Sequence, residues 1–183
     1  MFEGRSLVDY ALGRLVTDNA AELAGMEAAG AVGFKAFIAP VSLGYSSVDM
    51  GLAREALFRI KAFGGLAGFH CEDHALICAG EAKAKAGGGT RRAFLDSRPV
   101  VAEVIATANV IELAREPKAA WHICHVSHPH VAELVRWHRP MVCPSPAKPA
   151  PLPRFYRRKP RRAVRSSCAP PLWTADTRRR AWE

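Results

Sequence analysis

The sequence contains no apolar run that approaches the roughly 18 residues a membrane-spanning helix needs. Its first residues, Met1-Phe2-Glu3-Gly4-Arg5, lead into polar and charged positions rather than a signal-peptide core. No membrane partner and a soluble cytoplasmic location are therefore expected. No CxxC pair occurs among the five cysteines, Cys71, Cys78, Cys124, Cys143 and Cys168, and their number is odd. That argues against a disulfide framework or a cysteine-based zinc site and predicts buried free thiols.

Acidic residues are nearly absent from one end of the chain. Residues 136–183 hold 2 Asp+Glu against 13 Lys+Arg, a net charge of +11, whereas residues 1–135 hold 15 against 13, a net of −2. Nine of the 13 prolines also fall in those last 48 residues. The overall charge of +9 thus describes neither part. A basic tail can bind phosphate in a salt-dependent way. Only Phe155, Tyr156, Trp173 and Trp182 could stack on bases after residue 139, and nucleic acid is not the expected partner.

The first part reads as alternating strands and helices. Residues 6–11 (SLVDYA) form a short apolar run, a candidate strand. Residues 19–29 are rich in Ala and Glu and end at Gly30, which predicts a helix. Residues 31–39 (AVGFKAFIA), 66–70 (LAGFH) and 119–126 (AAWHICHV) are apolar runs of strand length. Residues 48–63 carry apolar positions at Leu52, Ala56, Leu57, Ile60 and Phe63, a helical spacing stopped by Gly64-Gly65. Further helices are expected over 72–85, from Pro99 to Arg115, and from Pro129 to Trp137. Strand–helix alternation predicts an α/β fold with parallel strands. The strands are apolar throughout, which suits a sheet covered on both faces. A (β/α) barrel and an open doubly wound sheet both fit.

The stretch 139–167, PMVCPSPAKPAPLPRFYRRKPRRAVRSS with its leading arginine, predicts neither helix nor central strand, because seven prolines interrupt it. Disorder or an extended polyproline-like segment is expected. The division is therefore 1–138, 139–167 and 168–183.

Each strong strand carries a polar residue at or near its end: Lys35, His70 and His125. In parallel α/β folds such residues converge where the βα-loops surround one mouth. An ammonium ion inside an apolar strand is costly, which favours the neutral amine. A neutral amine can take up CO2 and become a carbamate, an anionic oxygen ligand for metal. Imidazoles supply the other half of a zinc-type site. Pattern alone leaves other readings open. A lysine near a strand end can snorkel to solvent, and a histidine after an apolar run can be a hydrogen-bonded rim residue. Glu72 and Asp73 can orient His70 or favour a helix N-terminus. The pair His70/His74 should be split by the end of the strand, and His122 and His125 should point to opposite faces. In His128-Pro129-His130, Ser127 or His128 is expected to cap the following helix.

The runs GAVGFKAFI (30–38), GFHCED (68–73), SRPVVAEVIATANVIELA (97–114) and HICHVS (122–127) resemble the cyclic amidohydrolases, the group of allantoinases, hydantoinases/dihydropyrimidinases and dihydroorotases. The resemblance covers about residues 6–136 and is greatest to allantoinase. It implies a hydrolase of cyclic amides or ureides on a TIM-type barrel, of which this chain would hold about four central βα units and the irregular Pro/Arg-rich tail. It implies two divalent metal ions, usually zinc, bridged by a lysine carboxylated by CO2, which Lys35 matches. His70 and His125 match the two histidine ligands. The family's first-strand H-x-H pair and final-strand aspartate have no match here, so no catalytic residue is assigned and the chain alone is expected to be an inactive fragment. The alternative is a non-catalytic binding or assembly module. Family members are homo-oligomers. After Cys143-Pro144 the likeness breaks off and resumes at residues 168–172 and 176–178. An out-of-frame reading of about 139–167 is expected, which the other two frames of the coding DNA would test.

Overall fold

The computed structural model describes residues 10–41 and 46–142, with the side chains of 139–142 excepted. The order is strand β1 (Leu12–Leu15), a 3-10 turn (Ala20–Glu22), helix α1 (Leu23–Ala28), β2 (Ala31–Phe37), α2 (Met50–Ala62), β3 (Leu66–His70), α3 (His74–Ala86), α4 (Arg91–Asp96), α5 (Val100–Arg115), β4 (Ala120–Cys124) and α6 (Pro129–Val142). The strands form one sheet in the order β1-β2-β3-β4, every pair parallel. Each crossover between neighbours is helical, as parallel pairing requires.

Register decides which residues share a face. Phe34, Ala67 and Trp121 lie in one row and Ala36, Phe69 and Ile123 in another. All six are buried, packed with Leu57 and Ile60 of α2 and Val110 and Ile111 of α5. This is the helix-covered face. Each such aliphatic or aromatic side chain contributes about 1.5–3 kcal/mol when fully buried, so the stability of the sheet rests here. Alternation sends Lys35, Gly68 and His122, and then Phe37, His70 and Cys124, to the other face.

Local chemistry accounts for the helix starts. Asp49 accepts from Leu52 N at 2.8 Å, Asp73 from Leu76 N at 2.9 Å, and Thr90 Oγ1 from Ala93 N at 3.1 Å. His128 Nδ1 accepts from His130 N at 3.2 Å, and its carbonyl accepts from Val131 N at 3.0 Å. His128 thus caps α6, the role the sequence offered to it or to Ser127.

Several expectations need correction. The first strand is Leu12–Leu15, not the run at 6–11, of which only Tyr10 and Ala11 lie among the described residues and neither is in a strand. Leu12 sits on an edge strand where pairing, not apolar patterning, defines the element. Helix α4 was not foreseen; Thr90 caps a six-residue helix too short to show a period. Strand β4 ends at Cys124, so His125 lies beyond it rather than on its far face. Helix α6 runs through Arg139 and Pro140 to Val142, past the boundary placed at 138. Pro140 has no N–H to return to the Arg136 carbonyl, so its own turn is one bond short, while the turns before it do not depend on that N–H. The rest of 139–167, and 168–183, lie outside the described residues. No helix among the described residues is long and apolar enough to cross a membrane.

Candidate metal centre

His70 is the last residue of β3, a central strand paired on both sides, and is 2% exposed. Its Nε2 lies 2.9 Å from Oε2 of Glu72. A carboxylate only accepts, so Nε2 bears the hydrogen and Nδ1 is the nitrogen left to take a metal. The same Glu72 oxygen accepts from Arg98 Nη1 at 2.5 Å, and Arg98 Nη2 reaches Glu81 Oε1 at 2.6 Å. Glu72 and Arg98 are both buried. The histidine is therefore held by a carboxylate that is itself held by a buried guanidinium. Asp73 does not touch His70; its side chain caps α3. His74 turns away as well, with Nδ1 3.3 Å from Ser47 Oγ.

His125 follows β4 with φ 61, in the left-handed region that a β-carbon disfavours. This turn brings its ring centroid to 5.9 Å from that of His70. Its surroundings lower the imidazole to about 4: desolvation first, then the charges of Lys35, His70 and His122. At neutral pH the ring is uncharged, the form that binds metal.

Lys35 lies two residues before the end of β2, not at its end. Its Nζ is buried with no hydrogen-bond partner of normal length among the described residues. It sits 5.1 Å from the Phe37 ring centroid, a cation–π distance. The partner of Lys35 on the neighbouring strand is Gly68, where a β-carbon would meet Cys124 Sγ at 3.4 Å and Lys35 Cδ at 3.9 Å, ordinary contact distances. Burial raises the Cys124 thiol, but hydrogen bonding by His122 and the charge and proximity of Lys35 outweigh it and leave the thiol below its usual range.

Lys35 on β2, His70 at the end of β3 and His125 just past β4 thus face one region. Among the described residues no three His, Cys, Asp or Glu side chains form a metal cage by themselves. The donor set fits an ion only as two imidazoles plus the lysine, which must first lose its positive charge. A shallow concavity lined by Ala20, Arg59 and Phe63 lies among the helices and holds no such donors. Among Cys71, Cys78 and Cys124, all free, only Cys71 is fully buried and Cys78 is exposed.

Two supporting residues escaped sequence reasoning. Arg98 reads as loop charge before Pro99. Glu103 reads as a first-turn acid favoured by the helix dipole; its signal is that it is the only charged residue between Val100 and Asn109. In the structure Glu103 accepts from Ser127 N at 2.9 Å and from Ser127 Oγ.

No family model matches the sequence. Individual proteins do. The chain is 35% identical over 128 residues to an allantoinase of Solibacter usitatus, covering 68% of this chain and 28% of that protein. It is 33% identical over 141 residues to an allantoinase of Escherichia coli K12, covering 73% and 31%. Among solved structures, an L-hydantoinase (dihydropyrimidinase) from Arthrobacter aurescens superposes with a TM-score of 0.68 at 32% identity, over 73% of this chain and 30% of that one. A D-hydantoinase gives 0.66 at 27% identity, over 75% and 31%. The chain thus spans about 30% of the length of the proteins it matches. Its parallel sheet with helical crossovers is part of a TIM-type α/β barrel. By sequence and by fold, over that stretch, the chain belongs to the cyclic amidohydrolase family.

Proposed function

We propose that this chain carries the metal-holding middle of an allantoinase-like hydrolase, one that opens a cyclic amide or ureide at a ring C–N bond. One observation carries the reading. The His70 and His125 rings meet at 5.9 Å beside the sheet face on which Lys35 buries its amine. A divalent ion of the zinc type, when bound, polarises the ring carbonyl and supplies an activated water at neutral pH. The residues that would hold it are Lys35, His70 through Nδ1, and His125.

The chain's own groups prepare for this. Loss of a proton from the Lys35 ammonium frees the amine lone pair, and reaction of that amine with CO2 forms an N–C bond and releases a second proton. The product replaces a buried cation with an anion bearing two oxygen donors. It also removes one of the charges that depress His125. Glu72, steadied by Arg98, keeps the His70 ring from rotating. The described residues offer three donors, and the chain spans about 30% of its relatives' length. Alone, it is proposed to bind metal and to turn over no substrate.

The test is metal content after purification with zinc and bicarbonate. The chain should retain zinc, and His70→Ala and Lys35→Met should lose it while keeping their far-UV spectrum. Equal zinc in all three would defeat the metal reading. Ring opening of a hydantoin or ureide by the isolated chain would defeat the inactive reading.

A further inference from the structure

We propose that Glu103 is a positioning residue for His125, acting through Ser127. The inference rests on His125 as a metal ligand, and its geometry can be tested without metal.

The chain must turn between Cys124, the end of β4, and Pro129, the start of α6. It does so with His125 in the left-handed region. A histidine pays for that conformation, and such a turn persists only where neighbours over-determine it. The constraint visible here is Ser127. Its backbone N–H donates to Glu103 Oε1 at 2.9 Å and its hydroxyl donates to Oε2. Two bonds from one residue to the two oxygens of one carboxylate fix both its distance and its rotation. The grip falls two residues after His125.

Glu103 is well placed to grip. It lies in the first turn of α5, a 16-residue helix packed against α2, α6 and β4. Glu103 and Ser127 are each 4% exposed. Among the described residues no cation pairs with Glu103. Burial therefore works against its charged form, with the Ser127 bonds opposing and Glu72 adding to the effect, and its carboxyl rises to about 7. A methionine would fill this space with no such penalty. A carboxylate here has a use that filling space does not explain, and the contact it makes is to the loop that aims His125. The two histidines are thus supported differently. Glu72 holds the ring of His70 directly, whereas Glu103 holds the backbone that carries His125.

The experiment uses the full chain, isotopically labelled, with Glu103→Gln, Glu103→Met and Ser127→Ala. Two quantities are read: the NMR cross-relaxation between the His70 and His125 ring protons in metal-free protein, and the affinity for Co2+ against a chromophoric chelator. The Phe34–Phe63 cross-peak, from rings 5.4 Å apart in the core, reports folding. Glutamine can accept from the Ser127 N–H and donate to its hydroxyl, so Glu103→Gln should keep the His70–His125 peak and Co2+ affinity within about threefold. Glu103→Met should lose the peak and weaken Co2+ by about 10–100-fold, the usual range for a support behind a ligand. Ser127→Ala keeps one bond and should fall between them. A folded Glu103→Met that retains the peak overturns the proposal. If Glu103→Met does not fold, an unchanged peak in Ser127→Ala overturns it. If the peaks change as expected while the parent chain binds no Co2+, the positioning inference stands and the metal reading fails.

Discussion

Replacing Glu103 by glutamine should change how stability depends on pH, in a direction opposite to that of carboxylates paired with a cation. Glu103 titrates at about 7 in the folded chain against an ordinary 4.5, because burial raises it more than the Ser127 bonds lower it. The folded state therefore holds a proton that the unfolded state has released. The stability tied to that proton is fully present below pH 4.5 and is lost as pH rises through 7. From 4.5 to about 7, at roughly 1.36 kcal/mol per pH unit, the change is about 3 kcal/mol. Glu103 is almost wholly buried, so solvent does little to reduce it. Glutamine has no proton to lose. His125 acts the other way: its imidazole is lowered to about 4, so its contribution is present above 6.5 and lost as pH falls through 4. Both proteins contain His125, and its effect cancels in their difference. Urea unfolding of the two at pH 4.5, 5.5, 6.5 and 7.5 gives that difference directly. The advantage of the parent over Glu103→Gln should shrink by about 3 kcal/mol across the series. A difference constant to within about 0.5 kcal/mol would mean that Glu103 ionises as freely in the fold as outside it, and the account of its burial would fail.

Arg98→Met should leave Glu72 buried without its cation and cost about 3–5 kcal/mol in urea unfolding, with the His70 ring signal broadened. Gly80→Ala would place a β-carbon 2.3 Å from the Ser97 carbonyl oxygen, backbone that cannot swing aside. A loss of roughly 1–3 kcal/mol is expected, and an unchanged melting curve would contradict the packing of α3 on the turn before α5. Thiol labelling followed by peptide mapping should modify exposed Cys78 first. Cys71, whose thiol is raised far above its usual range chiefly by burial, should react only with denaturant present.

Three strands were legible because each lies in a mostly apolar run of strand length. Residues 31–39, 66–70 and 119–126 each contain the observed strand, and the parallel arrangement followed from the helices between them. Leu12–Leu15 was missed because a short edge strand containing Gly13 and Arg14 has no such pattern. The three proposed donors were legible as polar interruptions of apolar runs. Their geometry was not. That Lys35 stands short of the strand end, and that His125 lies past one, depends on where hydrogen-bonded pairing stops. The supports were least visible. Arg98, Glu103 and Ser127 act across 24–26 residues of chain, and only the fold brings them to Glu72 and to the β4–α6 turn.

The two histidines also differ in how they can let go. His70 sits in a central strand, and its carbonyl accepts from Ile38 N at 3.1 Å. Moving it means opening the sheet, an event as rare as global unfolding. His125 lies just beyond the last paired residue of β4, an edge strand among those described. Its segment can move once the Ser127 bonds to Glu103 break, at a free energy below that of opening the sheet. Amide hydrogen exchange should therefore be slow at His70, intermediate at Ser127, whose N–H donates to buried Glu103, and faster at His125. An ion held between the two imidazoles would leave by way of the loop, and its residence time would be set by how often that turn opens.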